Sequence, residues 1–425
     1  MLNRQQKPDT PPFPTLKVPT VVQKGVGKVP LFLNTSTESP LVSLNILLPG
    51  GNWQAQQPGI ASLTARMLTR GTENKDLYVI ASEIDYYGAQ INCTATRDRL
   101  KITLVSPPAH VQRLLPLLAD IVLRPTFPEE AFKRLKPIIE AEIKQRDADA
   151  NLLGKTKLRE HVFGAQHAYG HALNIEALEG MTAEMLRSHH AKHGQNPYYM
   201  SMSGAVTEAM LQDLTRYFGH MTPYATHEKE SLDLKTEGGA WHIPKKGCVQ
   251  AAIHMGHPTI TLSHPDYPAF YVTNILLGGF FGSRLMSNLR ETKGYTYGVH
   301  AYIEPMQHSG YWGVSTSVKR IHADAACQEI AYEIERLKTT LVGKKELTLL
   351  KNYLLGNILE LFDGVFAIDS RLHFALLHGM DLQFFTKLYQ TIQEIDSATI
   401  QAMAQKYLSP ASLCKVIVGG EEASV

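Results

Sequence analysis

Arg290 and Tyr297 stand seven residues apart within residues 277–301, which read LGGFFGSRLMSNLRETKGYTYGVHA. A guanidinium and a phenol are both hydrogen-bond donors. Two such donors held on rigid elements can grip a peptide carbonyl or stabilise a developing oxyanion. The bare residues leave a plainer alternative open, in which Arg290 makes a surface ion pair and Tyr297 is an ordinary strand tyrosine.

The surrounding pattern predicts a helix, a tight turn and a strand that position these two side chains. Ser283 occupies an N-cap position, Lys293 lies in the last turn, and Gly294 supplies the usual glycine stop. Residues 295–301 then alternate with a period of two, which is typical of a strand. A turn this short is expected to bring the arginine close to the tyrosine.

Residues 278–299 resemble the second-half signature of the pitrilysin-like (M16) zinc peptidases, a family that includes mitochondrial processing peptidase and its bacterial relatives. The resemblance implies that Arg290 and Tyr297 assist catalysis across a cavity from a zinc ion. It extends over residues 25–420. It also implies the LuxS/MPP-like fold, in which two homologous halves face each other like a clamshell.

The metal-binding motif of active family members is missing. Those members carry H-x-x-E-H on a helix, with two histidine ligands on one face and a glutamate as general base. The matching segment here has Ser62 and Arg66 at the ligand positions and Ala65 at the base position. Glu142, which follows Arg66 by 76 residues, matches the third ligand. One carboxylate without imidazoles holds zinc weakly, so we expect no metal and no cofactor in this chain.

Two interpretations of Glu142 remain open. In one, Arg66 takes the place of the metal as a cation and pairs with Glu142. In the other, Glu142 is a solvated helix glutamate. Histidines also crowd one region, at positions 161, 167, 171, 189, 190 and 193. His189 and His193 have helical spacing, but no glutamate lies between them, and chance clusters are expected among 18 histidines. A catalytic metal site is therefore not expected in this region, and adventitious metal binding at the surface is the alternative.

Composition narrows the function classes. A net charge of +2 gives no reason to expect nucleic acid or a membrane surface as partner. The sequence contains no apolar run of the roughly 18–20 residues that a membrane-spanning helix needs. Cys93, Cys248, Cys327 and Cys414 are too scattered for a disulfide framework or a zinc knuckle. No signal peptide is visible, yet the bacterial relatives are often exported. We therefore expect the periplasm, with the cytoplasm as the alternative.

The order of predicted elements repeats at an offset of about 215 residues, close to half the chain. We predict an α/β (α+β) fold in two homologous halves, each a mostly antiparallel sheet covered by helices. We predict an extended arm at 1–24, a first domain at 25–218 with the degenerate metal site, a linker at 219–240 and a second domain at 241–425 with the Arg–Tyr motif.

The combination predicts a non-zinc-binding subunit of a heteromeric peptidase. A homologous partner with H-x-x-E-H would bring the zinc, and this chain would complete the cavity, hold peptide substrates and supply Arg290 and Tyr297. Alone it is expected to be inactive, and a homodimer is the alternative assembly. The rival hypothesis is an inert peptide-binding or scaffold protein of the processing-peptidase or bc1 core-subunit type. An autonomous peptidase with a relocated metal is disfavoured because no replacement motif is present.

Overall fold

The computed structural model describes residues 13–225, 238–408 and 413–419. Parts of the predicted arm (1–12) and linker (226–237) lie outside this description. Within it the chain forms two helix-covered sheets, one in each half. The predicted α/β fold class is thereby confirmed.

The first half contains a six-stranded sheet in the order β1-β2-β6-β3-β5-β4. Its strands are β1 (Val22–Val26), β2 (Val29–Thr35), β3 (Val42–Leu48), β4 (Gln90–Ala95), β5 (Leu100–Ser106) and β6 (Tyr199–Gly204). Neighbours are antiparallel except β2 with β6. Leu100, Ile102 and Leu104 on β5 are buried in one core, because alternate side chains of a strand share a face.

Residues 13–225 contain eight α-helices. They are α1 (Ile60–Met67), α2 (Leu77–Tyr86), α3 (Val111–Leu123), α4 (Glu129–Ala148), α5 (Ala150–Phe163), α6 (Ile175–Glu179), α7 (Ala183–His193) and α8 (Glu208–Phe218), with short 3₁₀ turns at Asn52–Gln54 and Pro108–His110. Asp76, Asp149 and Thr182 cap α2, α5 and α7 by accepting hydrogen bonds from backbone N–H groups of the first turn. These caps fix where the helices begin.

The second half contains a five-stranded sheet in the order β7-β11-β8-β10-β9. Its strands are β7 (Gly239–Ile243), β8 (Gln250–Thr259), β9 (Thr296–Pro305), β10 (Gly310–Lys319) and β11 (Cys414–Val418). The helices are α9 (Tyr267–Asn274), α10 (Ala323–Thr339), α11 (Lys344–Glu360), α12 (Val365–Leu377), α13 (Gln383–Glu394) and α14 (Ser397–Tyr407), with a 3₁₀ turn at Arg320–His322 and π-helical turns at Ile275–Gly279 and Met286–Thr292. Among the described strands of this sheet, β7 and β11 are parallel and the other neighbours are antiparallel.

The two sheets repeat one topology. The order β2-β6-β3-β5-β4 in the first half corresponds to β7-β11-β8-β10-β9 in the second. The structure differs from the sequence-based boundaries at two strands. β1 begins inside the predicted arm, and β7 begins inside the predicted linker. Both are short strands next to polar stretches, where alternation is too brief to be seen. Among the described residues, no helix is long and apolar enough to cross a membrane.

One helix from each half packs on the sheet of the other half. Helix α5 packs on β8 and β11, and α12 packs on β2 and β6. Gly154 allows the close approach of α5, because a Cβ there would lie 2.5 Å from the ring of His254. A third core cluster, which includes Leu158, Phe163 and Val416, forms where α5 meets the second sheet. The halves are therefore joined by a packed interface as well as by the chain.

A buried polar network lies under α12. Asp369 Oδ2 accepts hydrogen bonds from Asn45 Nδ2 (2.8 Å) and from His373 Nε2 (3.2 Å). His373 Nδ1 also lies 3.0 Å from the hydroxyl of Tyr199. Burial alone would raise the pKa of Asp369, but the hydrogen bond from His373 and the charges nearby hold it below its ordinary value. This carboxylate thus ties the second half to the first sheet.

Buried imidazoles predict a loss of stability in mild acid. Burial lowers the pKa of both His190 and His254 to about 4. Since the unfolded value is about 6.5, acid protonates the unfolded chain first, and stability falls as the pH drops from about 6.5 towards 4. Each of the two should cost about 2 kcal/mol between pH 7 and pH 5.

Urea unfolding at the two pH values measures this loss. His190→Asn should show a smaller difference than the wild type, while the exposed His220→Asn should match the wild type. An unchanged pH dependence in His190→Asn would contradict the assignment.

Candidate functional site

Arg290 lies in the π-helical turn Met286–Thr292, just before β9. Its guanidinium carbon stands 4.8 Å from the ring centre of Phe281, and its Nε lies 3.3 Å from Glu291 Oε1. The side chain is 38% exposed. Stacking on an aromatic face restricts the arginine while leaving its terminal N–H donors accessible. The sequence-based predictions did not include Phe281, although it precedes the predicted helix of Arg290 by two residues.

Tyr297 sits on a β-bulge at the outer strand of the second sheet. Val299 pairs with Thr316 and Thr296 pairs with Val318, so β9 carries one extra residue beside Tyr297. A bulge bends the strand and redirects a side chain. The Tyr297 side chain is 87% exposed. The period-two pattern predicted a regular strand here, and the bulge is a difference from that expectation.

Two threonine hydroxyls hold the bulge. Thr296 Oγ1 donates to Ser317 O at 2.8 Å and accepts from Gly298 N at 3.1 Å. Thr316 Oγ1 donates to Gly298 O at 2.9 Å. These bonds satisfy backbone groups that the extra residue takes out of the ladder. Glycine directly after the tyrosine was the one sequence signal that could have revealed the bulge.

The turn between Arg290 and Tyr297 is tight, as predicted. Gly294 adopts a left-handed conformation with φ of 63°, and Tyr295 N donates to Leu289 O at 2.9 Å. In the described part of the chain no hydrogen bond joins Arg290 to Tyr297. Both side chains instead reach the surface on neighbouring elements. Their catalytic roles stay predictions.

The helix that matches the zinc helix of active family members is α1. Arg66 on α1 forms a two-pronged ion pair with Glu142 on α4, with N–O distances of 2.9 and 2.8 Å. This is one of the two arrangements left open by the sequence. The side chains are 42% and 47% exposed, so the pair adds little to stability. Ala65 is buried in the core, and the Ser62 hydroxyl donates to Gly59 O at 3.0 Å.

The histidine-rich region is mainly structural. His189 Nε2 lies 3.1 Å from Gly50 O, and His190 Nε2 lies 3.0 Å from Val122 O, both in buried surroundings. The ring of His161 stacks on Trp241 at 3.7 Å between centroids. Across residues 13–225, 238–408 and 413–419, no group of three or more His, Cys, Asp or Glu side chains could hold a metal ion.

The network under α12 contains a serine, a histidine and an aspartate, yet it is not a nucleophile site. Ser201 Oγ lies 3.0 Å from His373 Nε2, the nitrogen that also contacts Asp369. A catalytic histidine contacts its serine and its carboxylate through different nitrogens, so this imidazole cannot pass a proton between them. All three side chains are also buried.

In the described part of the chain, α1 packs mainly on α7 and β4, whereas β9, which carries Tyr297, packs on β10 and the π-helical turn that carries Arg290. Arg97, which lines a cavity together with Ser62, pairs with Glu304 near the end of β9. Tyr297 precedes Glu304 by seven residues, about 23 Å along an extended strand. Tyr297 and Glu304 therefore lie near opposite ends of β9.

Comparison with known families identifies both halves. Residues 33–174 match the model of the insulinase family (peptidase family M16), and residues 180–354 match that of the peptidase M16 inactive domain. The chain is 25% identical over 415 residues to a Helicobacter pylori protein named non-peptidase homolog YmxG, covering 93% of each. It is 24% identical over 308 residues to the uncharacterized zinc protease YmxG of Bacillus subtilis, covering 71% of this chain and 74% of that protein.

A solved structure supports the fold. The peptidase M16 inactive domain from Pseudomonas fluorescens superposes with a TM-score of 0.83 at 24% identity, over 95% of this chain and 99% of that chain.

Proposed function

Because this chain belongs to peptidase family M16 and lacks H-x-x-E-H, we propose that it is the non-zinc-binding subunit of a two-chain metallopeptidase. The partner would be a homologous subunit that carries H-x-x-E-H and the zinc ion. This chain would complete the peptide-binding cavity and present Arg290 and Tyr297 to the bound substrate.

The observation that carries the proposal is the exposure of Tyr297 on a locked bulge of an outer strand. A bulge that turns a large aromatic side chain into solvent gains nothing for the core, whereas it suits a donor used by a second molecule. Since the segment that matches the zinc helix carries Ser62, Ala65 and Arg66, an H-x-x-E-H site for Tyr297 would come from another subunit.

The test is to isolate the tagged chain from its own cells and assay hydrolysis of unfolded peptides, with and without a zinc chelator. We expect a co-purifying chain of similar length with H-x-x-E-H, and activity that the chelator abolishes. The name of the H. pylori relative favours the rival, an inert peptide-binding or scaffold protein. A complex that contains an H-x-x-E-H chain but hydrolyses nothing would support that rival.

A further inference from the structure

A cavity of about 370 Å³ opens in the first half beside Ser62. Four basic side chains line it, namely Arg97, Arg146, Arg159 and His171. This volume falls in the range that small-molecule and residue-sized groups occupy in proteins. No glutamate or aspartate is among its lining residues within the described part of the chain.

Two of the arginines are already neutralised. Arg97 forms an ion pair with Glu304. Arg146 pairs with Asp147, with Nε 2.7 Å from Oδ1, and also donates to Leu173 O at 2.6 Å. These contacts fix both guanidinium groups in the wall of the cavity, and their charges are balanced locally.

Arg159 is different, because among the described residues no carboxylate pairs with it. It projects from α5, and its Nε is buried without a hydrogen-bond partner in the described part of the chain. A buried donor left unpaired costs free energy, and more so when the group is charged. One positive charge without an ion pair of its own therefore lines this cavity.

His171 supplies a second unpartnered group. The residue is only 8% exposed, and across the described residues its Nε2 has no hydrogen-bond partner. The first turn of α1 adds to the same environment, since Gly59 at its N-cap provides no side-chain cap and also lines the cavity.

We propose that this cavity is a carboxylate-binding site, in which Arg159 grips the anion and His171 Nε2 makes a further hydrogen bond. A guanidinium matches a carboxylate with two parallel N–H···O bonds. One unpaired cation calls for a monoanion, whereas a phosphate dianion would leave excess negative charge buried. Resting on the proposed function, the inference names the C-terminal carboxylate of a peptide as the ligand. A small free carboxylate has the same chemistry.

Isothermal titration calorimetry of the isolated full chain distinguishes these sources. The probes are N-acetyl-tetra-alanine with a free C-terminal carboxylate, the same peptide as its amide, and glutarate. We expect the free peptide to bind about tenfold or more tightly than the amide, as charge-assisted hydrogen bonds require. Arg159→Gln should abolish this preference, and the exposed Arg113→Gln should retain it.

Other results have defined meanings. Glutarate binding that Arg159→Gln removes, with equal binding of the two peptides, would assign the same site to a small free carboxylate. Absence of any carboxylate preference in the wild type, or equal binding by Arg159→Gln, would overturn the site. If Arg159→Gln melts early, Arg159→Lys replaces it. It keeps the charge without the two-pronged geometry and should weaken the preference.

Because this assay needs no partner and no hydrolysis, its failure is separate from failure of the proposed function. Chelator-sensitive activity without a carboxylate preference would overturn the site and leave the proposed function standing. A carboxylate preference without chelator-sensitive activity would do the opposite.

Discussion

Tyr297→Phe is expected to lower kcat of the proposed two-chain complex about 10²-fold, the loss typical of removing one oxyanion donor. The ring would remain on the bulge, because Thr296 and Thr316 hold the backbone through bonds that do not involve the phenol. Only the donor hydroxyl disappears. KM should change little, since the interaction is made mainly in the transition state.

The measurement is steady-state hydrolysis of a peptide by the complex reconstituted with the H-x-x-E-H subunit. Tyr332→Phe is the matched control, an exposed tyrosine of the same half on α10, and it should leave kcat unchanged. Wild-type kcat in Tyr297→Phe, from a complex that the chelator still inhibits, would remove Tyr297 from the mechanism.

Asp369→Ala is expected to lower the free energy of unfolding by about 3–5 kcal/mol, because removing one member of a buried charged network leaves its partners unpaired. Asn45 Nδ2 and His373 Nε2 would both lose their carboxylate acceptor in a site closed to water. The contacts join residues of different halves, so the effect should extend to the whole chain.

Urea unfolding at pH 7 measures this change. Asp363→Ala removes an exposed aspartate just before α12 and should stay within about 0.5 kcal/mol of the wild type. A loss below about 1 kcal/mol in Asp369→Ala would mean that water replaces the carboxylate.

The order of helices and strands could be predicted from the sequence, because apolar residues recur in each half with the period of a strand or of a helix. The residues that match the absent zinc motif came from resemblance, and the structure adds the contact between Arg66 and Glu142. A cation and a carboxylate at two positions that the family motif brings together can form an ion pair, which explains why this pair was anticipated as one alternative.

Features that depend on register or on distant pairs were not readable. One extra residue in β9 decides where Tyr297 points, and a period-two pattern does not reveal an insertion of one. The contact of Asn45 with Asp369 spans 324 residues, and no local signal encodes it. The unpaired charge of Arg159 likewise emerges only when its surroundings are known.

The exchange of helices between the halves has a consequence for biosynthesis. α12 covers β2 and β6 but ends at Leu377, so the ribosome must make most of the chain before the first sheet receives its last covering helix. The first half therefore exists for a time as an incomplete nascent domain. Domains normally fold as units from the N-terminus, and exposed apolar surface in such intermediates promotes aggregation.

The face of the first sheet that α12 covers carries several polar side chains. Ser43, Asn45 and Ser201 lie there, where Asn45 and Ser201 later contact Asp369 and His373. Water can solvate these groups until the helix arrives, although Leu47 and Tyr199 share that face with them and are apolar surface that α12 later covers. Asn45 and Ser201 thus exchange water for Asp369 and His373 when the second half arrives, and they then join the two halves.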